Sequence, residues 1–236
     1  MLQPEKTPLF VEEFPCAYFD DGRQAAVEYL VTDPDAMRSF HEYLATGHRR
    51  LGRTFYRNVC RGCADCVPIR IPVDAFRPSR SQKRALRMNA DVQVVVRPPG
   101  ELTPERVALF RKYLIVKHGK EKEEPNPDYE FQLGIIHFGY AQTIEMDYYL
   151  EGRLIGVGIV DSAKDALSAN YFYYDTDFPK RRLGVFSILQ EIALAQALGK
   201  HYYYLGFLIK ENPKMSYKKD FHPHETLRDG TWSDGM

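Results

Sequence analysis

Apolar and polar positions follow different rhythms in the two halves of this 236-residue chain. From Thr143 onward the pattern is that of strands. Ile144 to Leu150 and Leu154 to Val160, rich in β-branched residues, flank Glu151-Gly152 and predict a hairpin. Ser168 to Tyr174 predicts a third strand. Leu183 to Leu198 predicts an amphipathic helix with Ile188, Leu189, Ile192 and Ala193 inward. His201 to Phe207 is the next strand, and its apolar run breaks at Gly206. Beyond it, Lys214, Tyr217 and Lys218 stand close together on a polar stretch, an arrangement suited to receive a polyanion and a reacting group at the open end of a sheet.

The first half is less regular. Asp35 to Ala45 predicts a helix with Asp33 or Asp35 near its cap and Phe40 and Leu44 one turn apart. Ser79 or Ser81 caps a second helix through Lys83, Leu86 and Arg87. Asp91 to Val96 reads as a strand ended by Pro98-Pro99-Gly100. Thr103 opens a helix over 104–118 with Pro104 in its first position, and 119–127 is a charged loop. The change in texture divides the chain into a basic, cysteine-containing region at 1–97 and a second domain at 98–236. Trp232 falls in a glycine-flanked tail expected to be mobile.

Composition adds two constraints. With 44% hydrophobic and 27% charged residues the chain is an ordinary globular protein. It has no apolar run of the roughly 20 residues a membrane helix needs and no secretory signal at its start. The expected location is the cytoplasm, where four cysteines are not expected to form structural disulfides. The formal net charge is zero, yet eleven basic residues between Arg49 and Arg87 face only Asp65 and Asp74. Such a stripe fits a nucleic acid or another polyanion, or a solvated face neutralised by folded acidic segments.

Cys60, Cys63 and Cys66 form a C-x-x-C-x-x-C run, with Cys16 as a fourth thiolate. That set suits zinc or an iron–sulfur cluster; the alternative is reduced thiols in a glycine-containing turn. Arg77, Arg80, Lys83 and Arg84 make the densest basic motif, fit for RNA phosphates or for bidentate grip on a carboxylate. Asp175 ends a strand beside Tyr173 and Tyr174, where it can orient or deprotonate an amine or cap the next turn. The histidines show no ligand spacing, and no Ser-His-Asp order, Walker loop or GxGxxG motif stands out.

The order strand, strand, strand, helix, strand resembles the core of the GNAT acyltransferases, so the expected class is α+β, with a GNAT-like core and a smaller cysteine-containing N-terminal α/β region. The GNAT phosphate turn reads R/Q-x-x-G-x-G/A. In Arg181-Arg182-Leu183-Gly184-Val185-Phe186, Arg181 and Gly184 match its arginine and first glycine at the start of the long helix, a natural anion site. Phe186 departs from it, which argues against ordinary CoA binding.

Further motifs in series resemble the bacterial aminoacyl-tRNA–protein transferases, the aspartate/glutamate leucyltransferases and their arginyl relatives. They are Cys16-Ala17-Tyr18, Cys60 to Arg70, Phe76 to Arg84, Tyr173-Tyr174-Asp175, Leu183 to Ser187, Tyr204 to Phe207 and Lys214 to Lys218. Phe19 stands where the eukaryotic arginyl branch has a second cysteine.

The resemblance implies transfer of leucine from leucyl-tRNA to the N-terminal α-amine of proteins beginning with Asp or Glu, marking them for N-end-rule degradation. Arginine is the alternative donor. An aminoacyl ester is already activated, so no cofactor is required for the chemistry. On this reading Arg181, Arg182 and Gly184 hold tRNA phosphates. Lys214, Tyr217 and Lys218 line the cleft, and Asp175 serves the amine. Arg77, Arg80, Lys83 and Arg84 bind the acceptor's acidic side chain or the acceptor stem. A CoA-dependent N-acetyltransferase and a non-catalytic RNA-binding protein with a zinc knuckle are the readings from other classes.

Overall fold

The computed structural model describes residues 9–32, 34–119, 128–137 and 142–235. Asp33, one expected helix cap, and nearly all of the charged loop 119–127 lie outside the described residues.

The chain opens with the antiparallel hairpin β1 (Leu9–Pro15) and β2 (Gln24–Val31). The helix expected over 35–45 is divided into a 3-10 turn, Pro34–Ser39, and α1 (Phe40–Ala45), which buries Phe40 and Leu44. β3 (Arg49–Leu51) and β4 (Thr54–Asn58) complete a four-stranded sheet in the order β1-β2-β4-β3.

β5 (Val67–Pro72), α2 (Arg80–Met88) and β6 (Val92–Arg97) follow. Next come α3 (Pro104–His118) and α4 (Tyr129–His137). β7 (Thr143–Leu150), β8 (Arg153–Ser162) and β9 (Ala166–Tyr174) form the meander read from the pattern. Its first turn places both Glu151 (φ 51) and Gly152 (φ 78) in the left-handed region, as a two-residue hairpin loop requires. α5 (Leu183–Ala197) crosses to β10 (Tyr202–Leu208), and β11 (Glu225–Arg228) and β12 (Thr231–Asp234) close the chain.

The second sheet has eight strands among the described residues, in the order β12-β11-β5-β10-β9-β8-β7-β6. The helix-connected pair β9–β10 is parallel. One face packs against α5 and α2 through Leu167, Tyr203, Leu205 and Leu208. The other packs Val157, Ile159 and Tyr173 against α3 and α4. On that second side, α1 and β4 cover Ala166 and Tyr204. The architecture is the expected α+β class with a meander, crossover helix and parallel strand at its centre.

The structure adds to or changes the sequence reading at three places. The large sheet spans the expected boundary at residue 97, because β5 and β6 are already among its strands. β5 alternates buried Val67, Ile69 and Ile71 with half-buried Pro68, Arg70 and Pro72, and pairs with β10 along its length. Its prolines and arginine hid that alternation. α4 was not read from the sequence at all; with Phe131 and Ile135 exposed, its apolar residues do not trace one stripe. The tail carrying Trp232 is β12, not a mobile segment. The indole N–H donates to the Ala45 carbonyl at 2.8 Å. Its ring lies 4.3 Å from the Arg70 guanidinium, which stacks on Tyr202 as well. No described helix is long and apolar enough to cross a membrane.

Candidate active site

β9 and β10 pair only at Ala166–Tyr202, Leu167–Tyr203 and Ser168–Tyr204. Beyond that point β9 continues along β8 and β10 continues along β5, with a register shift between Tyr204 and Gly206. The two strands part, and a wedge opens between residues 169–174 and 205–208. Divergence leaves backbone carbonyls without ladder partners, and buried carbonyls must find donors.

Two cations supply them. Arg49, on β3 of the small sheet, donates from Nη2 to the Ala169 carbonyl and reaches the Asn170 carbonyl at 3.4 Å. Lys218, in the 3-10 turn Ser216–Asp220, donates from Nζ to the Phe207 carbonyl at 3.0 Å. They meet at Gly206. A side-chain carbon there would collide with the Arg49 guanidinium and lie 3.5 Å from Lys218 Nζ, and φ is +89. Glycine is therefore required at the point where the strand signal breaks.

Lys218 is 8% exposed, and burial together with the Arg49 charge lowers its pKa to about 7. Tyr217, half-buried beside it, is pushed up to about 12 by burial and by the neighbouring Tyr174 and Glu191. Glu191, on the wedge-facing side of α5, is 2% exposed and accepts the Tyr203 hydroxyl at 2.6 Å. Burial raises its pKa to about 8, with the Tyr203 hydrogen bond and Arg49 opposing. Near neutral pH it is chiefly a neutral acid, so it does not cancel Arg49. Among the described residues no carboxylate lies in ion-pair distance of Arg49 or Lys218.

The basic motif stands at the edge of this wedge. Ser79, not Ser81, caps α2: its hydroxyl accepts the Gln82 N–H, and the Gln82 side chain accepts the Ser79 N–H. Gln82 also donates to the Asp220 carbonyl at 3.2 Å, which fixes α2 against the turn that carries Lys218. Arg80, Lys83, Arg84 and Arg87 are exposed, without a carboxylate in ion-pair distance among the described residues. Arg77 is exposed too, but bonds the Asp74 and Phe76 carbonyls before the helix.

Arg182 begins α5 in a left-handed conformation (φ 55) and makes a 2.8 Å bond to the Ser81 hydroxyl. The first turn of α5 has no side-chain cap and no acidic residue, so its free N–H groups, that of Gly184 among them, favour an anion. Lys214 is exposed outside the wedge.

Other expected residues are occupied elsewhere. Arg181 is paired with Asp91 at 2.7 and 2.8 Å and with the Met88 carbonyl. It anchors α2 and β6 to α5 and is not a free phosphate ligand. Asp175 is 1% exposed, held by Lys112 at 2.5 Å, by Arg153 and by the Asp177 N–H. Burial alone would raise its pKa, but these partners bring it below the ordinary carboxylate value. Both oxygens being engaged, Asp175 is a poor proton acceptor; it fixes the corner between β9 and α5. Phe186 faces the core against Tyr148, ring centroids 5.8 Å apart. Its bulk does not obstruct the anion turn, so the steric argument against CoA no longer stands.

The cysteines share one neighbourhood and none is in a disulfide. The Cys66 thiol is pushed up to about 12 by burial first, then by Cys60, Cys16, Cys63 and Asp65. Cys60 accepts the Ala26 N–H at 3.3 Å, and Cys63 lies 3.6 Å from an Arg23 donor. The donor chemistry fits zinc or an iron–sulfur cluster. Among the described residues no three His, Cys, Asp or Glu donors already stand as an ion would hold them. Ligation requires the Cys60–Cys66 turn, which contains left-handed Gly62 (φ 72), to draw together.

Sequence reasoning missed Arg49 and Glu191. Arg49 was one of eleven basic residues, and Glu191 lay on a helix read as simply amphipathic. A raised carboxyl pKa gives stability that is full below the unfolded value and is lost as pH rises through the folded one. Urea unfolding of wild type and Glu191→Gln from pH 4 to 9 is therefore expected to diverge. The wild type loses stability relative to the variant between about pH 4.5 and 8, by at most about 1.4 kcal/mol per pH unit.

Family models described as the N terminus and the C terminus of arginine-tRNA-protein transferase match residues 14–84 and 105–228. An aspartate/glutamate leucyltransferase of Nitrosococcus oceani is 41% identical over 227 residues, covering 93% of this chain and 92% of that one. One of Pseudoalteromonas atlantica is 32% identical and covers 94% of each. Among solved structures, the C-terminal domain of a putative lysylphosphatidylglycerol synthetase from Agrobacterium fabrum gives a TM-score of 0.48 at 12% identity. That match covers 89% of this chain and 73% of the other. The length and identity of the sequence matches settle the family: this chain belongs to the arginine-tRNA-protein transferases.

Proposed function

We propose that this protein transfers leucine from leucyl-tRNA to the α-amine of proteins that begin with Asp or Glu, in the cytoplasm, and so marks them for N-end-rule degradation. The observation that carries the reading is the wedge between β9 and β10, with buried Lys218 at its apex and the basic face of α2 at its rim. An ester entering from the α2 and α5 side meets Lys218, while the opposite side remains for an amine.

In the reaction the neutral α-amine attacks the ester carbonyl carbon, a C–N bond forms and the carbonyl electrons move to oxygen. Lys218, neutral in part near pH 7, takes the proton that the nitrogen sheds. The C–O bond to the ribose then breaks, and Lys218 returns that proton to the leaving hydroxyl. Positioning and charge stabilisation supply the rate, since the ester is already activated. Arg182, the α5 N-terminus and the exposed Arg80, Lys83, Arg84 and Arg87 hold the tRNA. Cys16, Cys60, Cys63 and Cys66 would hold zinc or an iron–sulfur cluster, and such a group would tie the end of β1 to the link between β4 and β5.

The direct test mixes the purified protein with labelled leucyl-tRNA or arginyl-tRNA and peptides beginning with Asp, Glu, Arg or Ala. Leucine is expected to reach the Asp and Glu peptides alone; label from arginyl-tRNA instead would reassign the donor. Neutralising Arg80, Lys83 and Arg84 together should weaken leucyl-tRNA binding and flatten its salt dependence.

Lys218 must be unprotonated to act, so activity rises with pH through about 7. The acceptor's own amine titrates with an ordinary pKa of roughly 7.7–8.0. Below pH 7 a plot of log(kcat/KM) is expected to approach a slope of two in wild type and one in Lys218→Met. The variant should lose on the order of 10²–10⁴ in rate. An unchanged slope would remove Lys218 from proton transfer.

Metal analysis of the protein purified without chelators should find zinc or iron. Cys66→Ser is expected to lose it and to unfold at lower temperature. A stoichiometrically metal-free, stable wild type would assign the four thiols to the turn alone.

A further inference from the structure

The wedge contains a charge that the transfer chemistry leaves unexplained. Arg49 reaches it from the small sheet, across the face that also carries α3 and α4. Lys218 reaches it from the opposite face, beneath α2. The Arg49 guanidinium satisfies the Ala169 and Asn170 carbonyls with Nη2. Its Nε is buried and has no hydrogen-bond partner. The Phe207 ring lies 5.9 Å from the guanidinium carbon and covers part of it without neutralising it. Carbonyl dipoles satisfy donors but leave a formal charge uncompensated; Arg49 is half-buried, and a partly desolvated cation without an anion is unfavourable. The nearby acid, Glu191, is engaged with Tyr203.

We propose that Arg49 is the residue that reads the acceptor, by receiving the side-chain carboxylate of its N-terminal Asp or Glu. This rests on the transferase reading above. In such residues the carboxylate is a few bonds from the α-amine. A carboxylate held by Arg49 therefore leaves the amine beside Lys218, which borders the same point at Gly206. The tRNA is a less suitable source of the anion here. The exposed cations of α2, Arg182 and the α5 N-terminus all lie on the other face of the sheet. An acceptor approaching from the Arg49 side and a donor from the α2 side meet at the wedge without competing. Asn and Gln are nearly the same size as Asp and Glu but carry no charge, so they would leave the half-buried Arg49 guanidinium without a counter-ion.

The test compares kcat/KM for leucine transfer to peptides that differ only in Asp or Asn at the first position. Wild type is expected to favour Asp strongly. Arg49→Gln should collapse the Asp-to-Asn ratio toward one, with a loss on the order of 10–100-fold for the Asp peptide, mainly in KM. Arg49→Lys, which keeps the charge and the stem, guards against misfolding and should retain part of the ratio. Leucyl-tRNA retention on filters and near-UV circular dichroism report whether each variant is folded and still binds donor. An undiminished ratio in a folded Arg49→Gln protein overturns the assignment and leaves the transferase reading intact. Failure of the wild type to transfer leucine to any peptide overturns the transferase reading, and the subsite with it.

Discussion

Buried backbone carbonyls must be hydrogen-bonded, and the sheet at the centre of this molecule breaks its own ladder. β9 and β10 separate after three paired positions, which exposes carbonyls on both lips of the gap. Arg49 and Lys218 satisfy them from opposite faces, and Gly206 is the position without a side chain that lets both approach. The remainder of the architecture holds these two side chains in place. The small sheet presents Arg49. The turn after β10 presents Lys218, and α2 clamps that turn through Gln82 and Asp220.

The same constraint generates reactive chemistry from ordinary residues. A lysine in water is a poor base at neutral pH. Surrounded by protein and faced with a guanidinium, Lys218 has a pKa of about 7. The two cations thus settle their mutual repulsion through the group able to lose a proton, since arginine cannot. Burial moves Glu191 the opposite way, and it remains chiefly a hydrogen-bonding acid instead of becoming Arg49's counter-ion.

Several buried charges elsewhere sit in ion pairs with structural work. Arg106 bonds both oxygens of buried Asp147 at 2.6 and 2.7 Å and locks α3 to β7. Buried His137 hydrogen-bonds Tyr173, lies in contact with Glu145, and locks α4 to the same face. Arg181–Asp91 and Lys112–Asp175 fix the ends of α5 and β9. The contrast between closed pairs and the unpaired cations of Arg49 and the α2 face separates scaffold from site.

The sequence by itself determined many of the local elements and the family. The β7–β8–β9 meander, α5, β10 and a serine cap at the start of α2 follow from short-range periodicity, turn residues and caps, which act within a few positions of one another. The family motifs and Lys218 were legible for the same reason: they are contiguous runs. Tertiary structure decided which charges are free. Nothing local distinguishes Arg181, neutralised by an aspartate 90 positions away, from Arg182, or Asp175, clamped by Lys112, from an available base. Arg49 is the clearest case, because its place in the wedge comes from β3 packing beside β9, 120 residues later in the chain. Charge compensation and burial are long-range properties, set only when distant segments share one volume.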